Sequence, residues 1–292
     1  MKSLYGWLHV ILELGKARIA QFVTLSTTTG YVLAKGRVDV NLILAILGVF
    51  ILAMGSGALN QYQERKKDAL MSRTRGRPIP SGKITSGAAL AVAFLLLLSG
   101  SLILFWGCNQ TAGLLGLLTV VWYNGVYTYL KRLTSLAVVP GAVIGSLPPL
   151  IGWAAAGGNV LSTQAAVLAI FFFIWQIPHF WLLLLKFGND YEKAGYPTLT
   201  TLLKTTQLGR LTFVWIVATA SILMVVPLFG ITQHFVTYIL LFLTSLALIG
   251  NSLGLVKPKS NEYPFLLAFR GINIFILVVM ILLSLDRLLY IG

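Results

Sequence analysis

Nine stretches of this chain are long and apolar enough to cross a lipid bilayer: about residues 18–35, 41–60, 87–106, 112–130, 136–156, 161–185, 210–229, 234–254 and 265–288. Hydrocarbon offers no water to backbone N–H and C=O groups, so runs of this length satisfy those groups internally as helices. The composition agrees, since 57% hydrophobic residues, 10% charged residues and a mean hydropathy of +0.86 are too apolar for a soluble domain of 292 residues. The expectation is an all-α polytopic membrane protein, a single domain over 1–292 with about nine transmembrane helices. The fourth and fifth spans are interrupted by Gly, Pro or Asn, which a membrane helix tolerates where neighbouring helices or a wet cavity satisfy the freed backbone.

Orientation follows from the bases. If the chain starts in the cytoplasm and crosses nine times, all of its 22 Lys and Arg residues except Lys35, Arg37 and Arg287 fall on the inner side. The inner set includes Lys2, Lys16 and Arg18 before the first span, the run from Arg65 to Lys83, Lys131 and Arg132, Lys186 to Arg210, and Lys257 and Lys259. The net charge of +14 is therefore a topology signal and needs no nucleic-acid partner. Cys108 is the only cysteine, which excludes an intrachain disulfide and a thiolate metal cluster. Residues 1–16, with Trp7, Leu8, Ile11 and Leu12, read as an interfacial helix leading into the first span. They lack both a signal-peptide cleavage site and an Arg- and Ser-rich presequence, so a bacterial inner membrane is the expected location, with the N-terminus cytoplasmic and the C-terminus outside.

Ionisable residues at span ends are expensive and mark function. Of eight acids, Glu64, Asp68, Asp190 and Glu192 lie in two loops that this topology puts on one inner face, whereas Asp39 and Asp286 lie outside and Glu13 and Glu262 elsewhere on the inner side. Asn60, Glu64 and Asp68 recur every fourth residue, so on a helix they share one face. Two carboxylates and an amide so arranged suit Mg²⁺, which keeps some waters and bridges carboxylates to substrate phosphates. The sequel Arg73-Thr-Arg-Gly-Arg77-Pro-Ile-Pro80 supplies guanidinium groups suited to those phosphates, on a turn fixed by Gly76, Pro78 and Pro80. Basic residues that only anchored topology would need no such periodicity. Lys131 and Arg132 could complete a cationic rim, with Asn124 one turn deeper and facing the bundle interior. His179, in Trp175-Gln-Ile-Pro-His179-Phe-Trp181, is either a buried imidazole bonded to a carbonyl freed by Pro178 or a contact for an aromatic or metal-bearing substrate. His9 and His234 read as structural.

These residues give the chain a resemblance to the UbiA superfamily of membrane prenyltransferases, and within it to the branch that farnesylates protoheme IX. The resemblance spans nearly the whole chain and rests on Asn60-x-x-x-Glu64-x-x-x-Asp68-x-x-Met71-x-Arg73-Thr74-x-x-Arg77-Pro78, Tyr127-Thr-x-x-Leu130-Lys131-Arg132-x-Thr134, Pro148-Pro149-Leu-Ile-Gly152-Trp153, Trp175-Gln-x-Pro178-His179-Phe-Trp181 and Asp190-Tyr-x-x-Ala-Gly195-x-Pro197. It implies helices around a central cavity, with Mg²⁺ as cofactor and farnesyl diphosphate held at the cytoplasmic end, and heme b as the acceptor converted to heme O. It implies metal ligation by Glu64, Asp68 and Asp190, catalytic roles for these and Asn60, diphosphate binding by Arg73, Arg77, Lys131, Arg132 and Lys186, and heme contacts from His179 and Asn124. Heme A synthase or a terminal oxidase would be a downstream partner.

Both acidic motifs depart from the family pattern. Many members carry Asp at the position of Glu64, and often an acid at that of Lys66; the second motif pairs two acids, where this chain has Lys186 and Asp190. The competing readings are a related enzyme acting on a quinone precursor or a chlorin, and a transporter or assembly factor without catalysis. Against the last, no second set of spans repeats the acid-bearing pattern.

Overall fold

The computed structural model describes residues 4–256 and 264–290, so Lys2, Lys257, Lys259 and Glu262 lie outside the described residues. Every regular element among the described residues is helical. A short helix, α1 (Leu4–Leu14), precedes α2 (Ala17–Lys35), α3 (Val40–Asp68), α4 (Ser86–Leu102), α5 (Gln110–Val120), α6 (Val143–Ala155), α7 (Thr163–Lys193), α8 (Thr205–Val225), α9 (Phe235–Ser252) and α10 (Pro264–Leu289).

Seven helices among the described residues are long and apolar enough to span a membrane: Val40–Asp68, Ser86–Cys108, Val138–Ala155, Thr163–Lys193, Thr205–Phe229, Phe235–Leu255 and Phe265–Leu289. The other two expected spans are helical as well. In α2 the chain carries Thr24, Ser26, Thr27, Thr28 and Thr29, whose hydroxyls donate to carbonyls three or four residues back, so a polar-looking helix hides its own hydroxyls. Residues 110–130 run as α5, then a π-helical turn at Val121–Tyr127, then Thr128–Leu130. Nine thus holds as an approximate count. Phe22, Phe94, Leu95, Val214, Phe242 and Ile274 are exposed, as expected where lipid rather than water is the solvent.

Small residues set the packing, because lipid gives helices no hydrophobic reason to associate and close backbone approach supplies the dispersion instead. A Cβ on Gly30 of α2 would lie 1.9 Å from the carbonyl oxygen of Pro149, and one on Gly152 of α6 would lie 1.9 Å from that of Thr27. Both glycines are therefore required by the α2–α6 contact. Helix α7 carries Pro178 in its interior and breaks at Phe187 (φ −123°, ψ 15°), so its last turns, with Asp190, set off in a new direction. That bend carries Asp190 to Ser72 and Arg73 in the loop that follows α3.

Candidate active site

The acid-bearing face ends α3 at a depth where water is excluded. Asn60, Glu64 and Asp68 are 1%, 6% and 0% exposed, so each polar atom needs a partner in the protein. Each has one, and it is a cation. Lys131 Nζ lies 2.6 Å from Glu64 Oε1, Arg77 Nη1 lies 2.7 Å from both oxygens of Asp68, and Lys16 Nζ donates to Asn60 Oδ1 at 2.6 Å. Tyr196 donates its hydroxyl to Glu64 Oε1 at 2.6 Å, and Asn60 Nδ2 donates to Thr128 Oγ1 at 3.1 Å. Burial lowers the Lys131 pKa from the usual ammonium range, against the pull of Glu64. Burial and the nearby Arg77 bring Lys16 down to about 7.

The two acid-bearing loops clasp one another. Lys67 Nζ donates to the carbonyls of Ala194 and Gly195 at 3.1 and 3.0 Å, and sits 4.0 Å from the centre of the Tyr196 ring. Asp190 accepts from Ser72 Oγ and, at 3.1 Å, from the Arg73 backbone N–H. Met71, Ala194 and Tyr196 bury one another beneath these polar contacts, with Tyr191 against them. Asp190 is therefore spent on the first loop. No group of three His, Cys, Asp or Glu side chains close enough to hold one metal ion occurs among the described residues, so Glu64, Asp68 and Asp190 do not meet at a single point.

Beside this face lies a small, half-open pocket lined by Tyr127, Lys131, Phe180, Leu183, Leu184, Tyr191 and Tyr196 among others. Its rings stack in series, Tyr123 on Tyr127 at 6.0 Å and Tyr127 on Phe180 at 6.3 Å. Next along α7, His179 packs against Trp175, Phe269 and Phe180 at 5.1, 5.3 and 5.7 Å between ring centres. Its Nδ1 is buried without a hydrogen-bond partner, so the bond to a carbonyl freed by Pro178 is not formed.

Among the expected phosphate ligands, Arg77 and Lys131 reach the acidic face. Arg73 is exposed, its guanidinium donating to the Tyr191 hydroxyl at 3.3 Å. Arg132 turns away, donating to the Gln63 carbonyl at 3.0 Å, and Lys186 lies exposed over the Phe187 ring at 5.0 Å. Asn124 is buried as expected, but its amide is engaged inside the protein. Its Oδ1 accepts from Ser56 Oγ at 2.6 Å, while its Nδ2 donates to the Ser56 carbonyl and to Gln63 Oε1 at 3.0 and 3.1 Å. Lys16 and Tyr196 were not among the expected site residues. Lys16 reads as one more inner-side base, and Tyr196 only as part of a Gly195-Tyr-Pro197 turn; nothing local marks either.

The UbiA prenyltransferase family model matches residues 23–281. The chain belongs to the UbiA prenyltransferase family. It is 35% identical over 287 residues to a protoheme IX farnesyltransferase of Oleidesulfovibrio alaskensis, covering 98% of this chain and 99% of that one. It is 40% identical over 225 residues to a protoheme IX farnesyltransferase of Geobacter sulfurreducens, covering 75% and 81%. A UbiA homolog from Archaeoglobus fulgidus, solved bound to GPP and Mg²⁺, superposes with a TM-score of 0.70 at 13% identity over 96% of this chain and 99% of that one. The chain is thus an integral membrane prenyltransferase, and its buried polar face with the adjoining tyrosine-lined pocket is the candidate active site.

Proposed function

We propose that this enzyme transfers the farnesyl group of farnesyl diphosphate to a vinyl group of protoheme IX, with addition of water, giving heme O and diphosphate. The observation that carries the reading is the pairing of two buried carboxylates with two cations at the mouth of an aromatic pocket. Carboxylates in water-free surroundings hold charge only when matched, and the two cations that match them are also ligands for a diphosphate. The names of the relatives support the choice of donor and acceptor.

The donor set fits a divalent ion. Glu64 and Asp68 present oxygen ligands of the hard kind Mg²⁺ prefers, one helical turn apart and buried, with Asn60 one turn deeper. When bound, Mg²⁺ supplies positive charge to the leaving diphosphate. Asp190, which does not meet Glu64 and Asp68, would act from the other loop by holding the Ser72–Arg73 turn beside the site. Arg77 and Lys131 bind phosphate oxygens as the acids they now neutralise are taken up; Arg73, Arg132 and Lys186 form an outer rim.

The chemistry then follows from where charge develops. The bond between farnesyl C1 and the diphosphate oxygen breaks, its electron pair leaving with the diphosphate. The vinyl π pair forms the new carbon–carbon bond to C1, and the cation this leaves next to the porphyrin ring is conjugated with it. Water bonds to that carbon and loses a proton. Tyr127, Tyr191 and Tyr196 line the pocket where the allylic cation would form, and desolvation makes aromatic contacts with a cation stronger than at a surface. His179, held among three aromatic side chains with a free ring nitrogen, is assigned to the heme, and Asn124 contributes through the turn it fixes. The site faces the cytoplasm of a bacterial cell under the orientation set by the basic loops.

The test is chromatography and mass spectrometry of the heme recovered after purified protein in lipid is given protoheme, farnesyl diphosphate and Mg²⁺, with an EDTA control. A Mg²⁺-dependent species heavier than protoheme by one farnesyl and one hydroxyl is the expected result. Unchanged heme, with turnover of a quinone precursor or a chlorin instead, would reassign the acceptor.

A further inference from the structure

We propose that the end of the helix bundle opposite the acidic face binds the phosphate of an anionic phospholipid, gripped by Arg287.

Lys35, Arg37 and Arg287 are the three bases that the positive-inside pattern leaves at that end, and the fold gathers them around one residue. Helix α2 begins beside Asn60, where Lys16 sits, and its 19 residues carry the chain about 28 Å to its other end. There Gly36 closes the helix in the left-handed conformation (φ 74°, ψ 7°), its N–H returning to the Val32 carbonyl at 2.7 Å. The Arg287 guanidinium, from the last turn of α10, lies against this turn. A Cβ on Gly36 would stand 3.5 Å from its Nε and 3.7 Å from its Nη2. Three cations from the two ends of the chain therefore share one corner.

The acids at this corner are already taken. Asp39 lies 4.0 Å from both Lys35 Nζ and Arg37 Nε, and accepts from the Tyr31 hydroxyl. Asp286 spends its oxygens on the start of α9, accepting from the Gln233 and His234 N–H groups at 2.6 and 3.0 Å and from Thr237 Oγ1 at 2.6 Å, with His234 Nδ1 at 3.2 Å. Arg287 makes no ion pair or hydrogen bond with any described residue, and its Nε is buried without a partner. An arginine that only anchored a span end would extend into water at little cost. This one is half-buried against backbone, and a buried donor left unmade calls for an acceptor.

Arg287 lines a half-open pocket together with Ala34 of α2, Trp153 of α6, Gln164 of α7 and the turn at Gly230 and Ile231. Trp153 Nε1 is committed to the Asn159 carbonyl at 3.2 Å, whereas the Gln164 amide bonds to no described residue and adds a donor. A guanidinium fork beside a free amide suits the oxygens of a phosphate. A lipid is favoured over free phosphate because the corner ends a membrane-spanning bundle, with Val38, Val40 and Leu289 exposed alongside to meet acyl chains. Basic pockets between transmembrane helices take anionic headgroups in this way. Three bases against two committed acids favour a net-anionic headgroup over a zwitterionic one.

Protein purified in detergent is titrated with phosphatidylglycerol, with phosphatidylcholine of the same chains and with sodium phosphate, and followed by native mass spectrometry, thermal unfolding and hydrogen exchange. Phosphatidylglycerol should be retained, raise the melting temperature and slow exchange over residues 33–38, while the other two do none of these. Arg287→Gln should weaken retention about tenfold or more, and Arg287→Lys, which keeps the charge without the fork, by less. Without lipid, Arg287→Gln should melt with the parent, since the group removed has no partner in the protein. Parent-like retention and protection in Arg287→Gln would overturn the proposal. Equal binding of phosphatidylcholine would overturn it too, by showing an apolar groove indifferent to charge, and so would equal protection by sodium phosphate, by showing a site for the free anion. If Arg287→Gln does not fold, the parent decides alone: phosphatidylglycerol protection confined to the basic loop at residues 65–83 would place the lipid at the other end of the bundle.

Discussion

Asp68 and Tyr196 both touch the acidic face, yet they differ in what their loss removes. Asp68 is fully buried with both oxygens on Arg77, whereas Tyr196 gives Glu64 one hydroxyl beside the stronger contact from Lys131. Asp68→Asn removes an oxygen ligand and unmatches a guanidinium, so kcat/KM for farnesyl diphosphate should fall by about a hundredfold or more. Binding of Mn²⁺, followed by electron paramagnetic resonance, should be lost with it. The fold should survive, since the Thr74 hydroxyl bonds the Asp68 backbone carbonyl at 2.8 Å and not its side chain. Tyr196→Phe deletes one hydrogen bond to a carboxylate that keeps its ion pair, and the same kinetics should change by no more than about tenfold. Equal losses in the two variants would mean that Glu64 depends on the tyrosine as much as on the lysine. The difference shows what a sequence can carry at this scale. The four-residue spacing of Asn60, Glu64 and Asp68 is a local pattern and could be read directly. The contacts of Lys16 and Tyr196 with that pattern join residues 44 and 132 positions apart, and no local rule reports them.

Helical elements here are legible in number and less so in form. The interruption of the fourth span by Asn124 and Gly125 could be read from residue type, but its geometry as a π-helical turn at Val121–Tyr127 depends on partners in α3. Asn124 reaches Ser56 and Gln63, 68 and 61 residues away, and Thr128 donates to the Tyr123 carbonyl at 2.8 Å. An amide making three bonds in a buried setting holds the turn open and sets the direction of Tyr123 and Tyr127. Asn124→Ala should leave Ser56 and Gln63 without those partners and destabilise the protein by about 1–3 kcal/mol. Lower thermal stability in detergent, with a raised KM for heme in what remains folded, is the expected result. An unchanged melting temperature would show that the turn is held by its other contacts. The same limit applies to α7: Pro178 announces a weakness, but the break falls at Phe187, whose ring lies under the Arg73 guanidinium of the loop that follows α3. Tertiary contact decides where a flexible helix yields.

At the scale of the molecule, the bases place two acid-bearing loops on one face, and the structure joins them into one clasp. The placing of both loops on one face follows from the positive-inside bias, a property of whole loops; the register between the loops could not be read, because it depends on which backbone carbonyl each side chain finds. Asp190 holds the centre of that register, taking Ser72 Oγ and the Arg73 N–H, with Lys67 on Ala194 and Gly195 to one side and Met71 beneath. Arg73, Arg75 and Arg77 lie on the loop so restrained, and the bonds after Arg73 and Arg75 are sites for trypsin once the backbone can leave the surface, the Arg77–Pro78 bond being resistant. Asp190→Ala should therefore speed tryptic cleavage between residues 73 and 77 in nanodiscs, read by mass spectrometry of the fragments. It should also raise the KM for farnesyl diphosphate, since Arg77 can no longer be held over Asp68 by a closed loop. Mg²⁺ with pyrophosphate should protect the parent protein from that cleavage, because an anion drawn between Arg77 and Lys131 ties the first loop to the bundle independently of Asp190. If cleavage in the variant matched the parent's, the loops would be held by the apolar contact of Met71 with Ala194 and Tyr196. The role of Asp190 would then belong to the substrate alone.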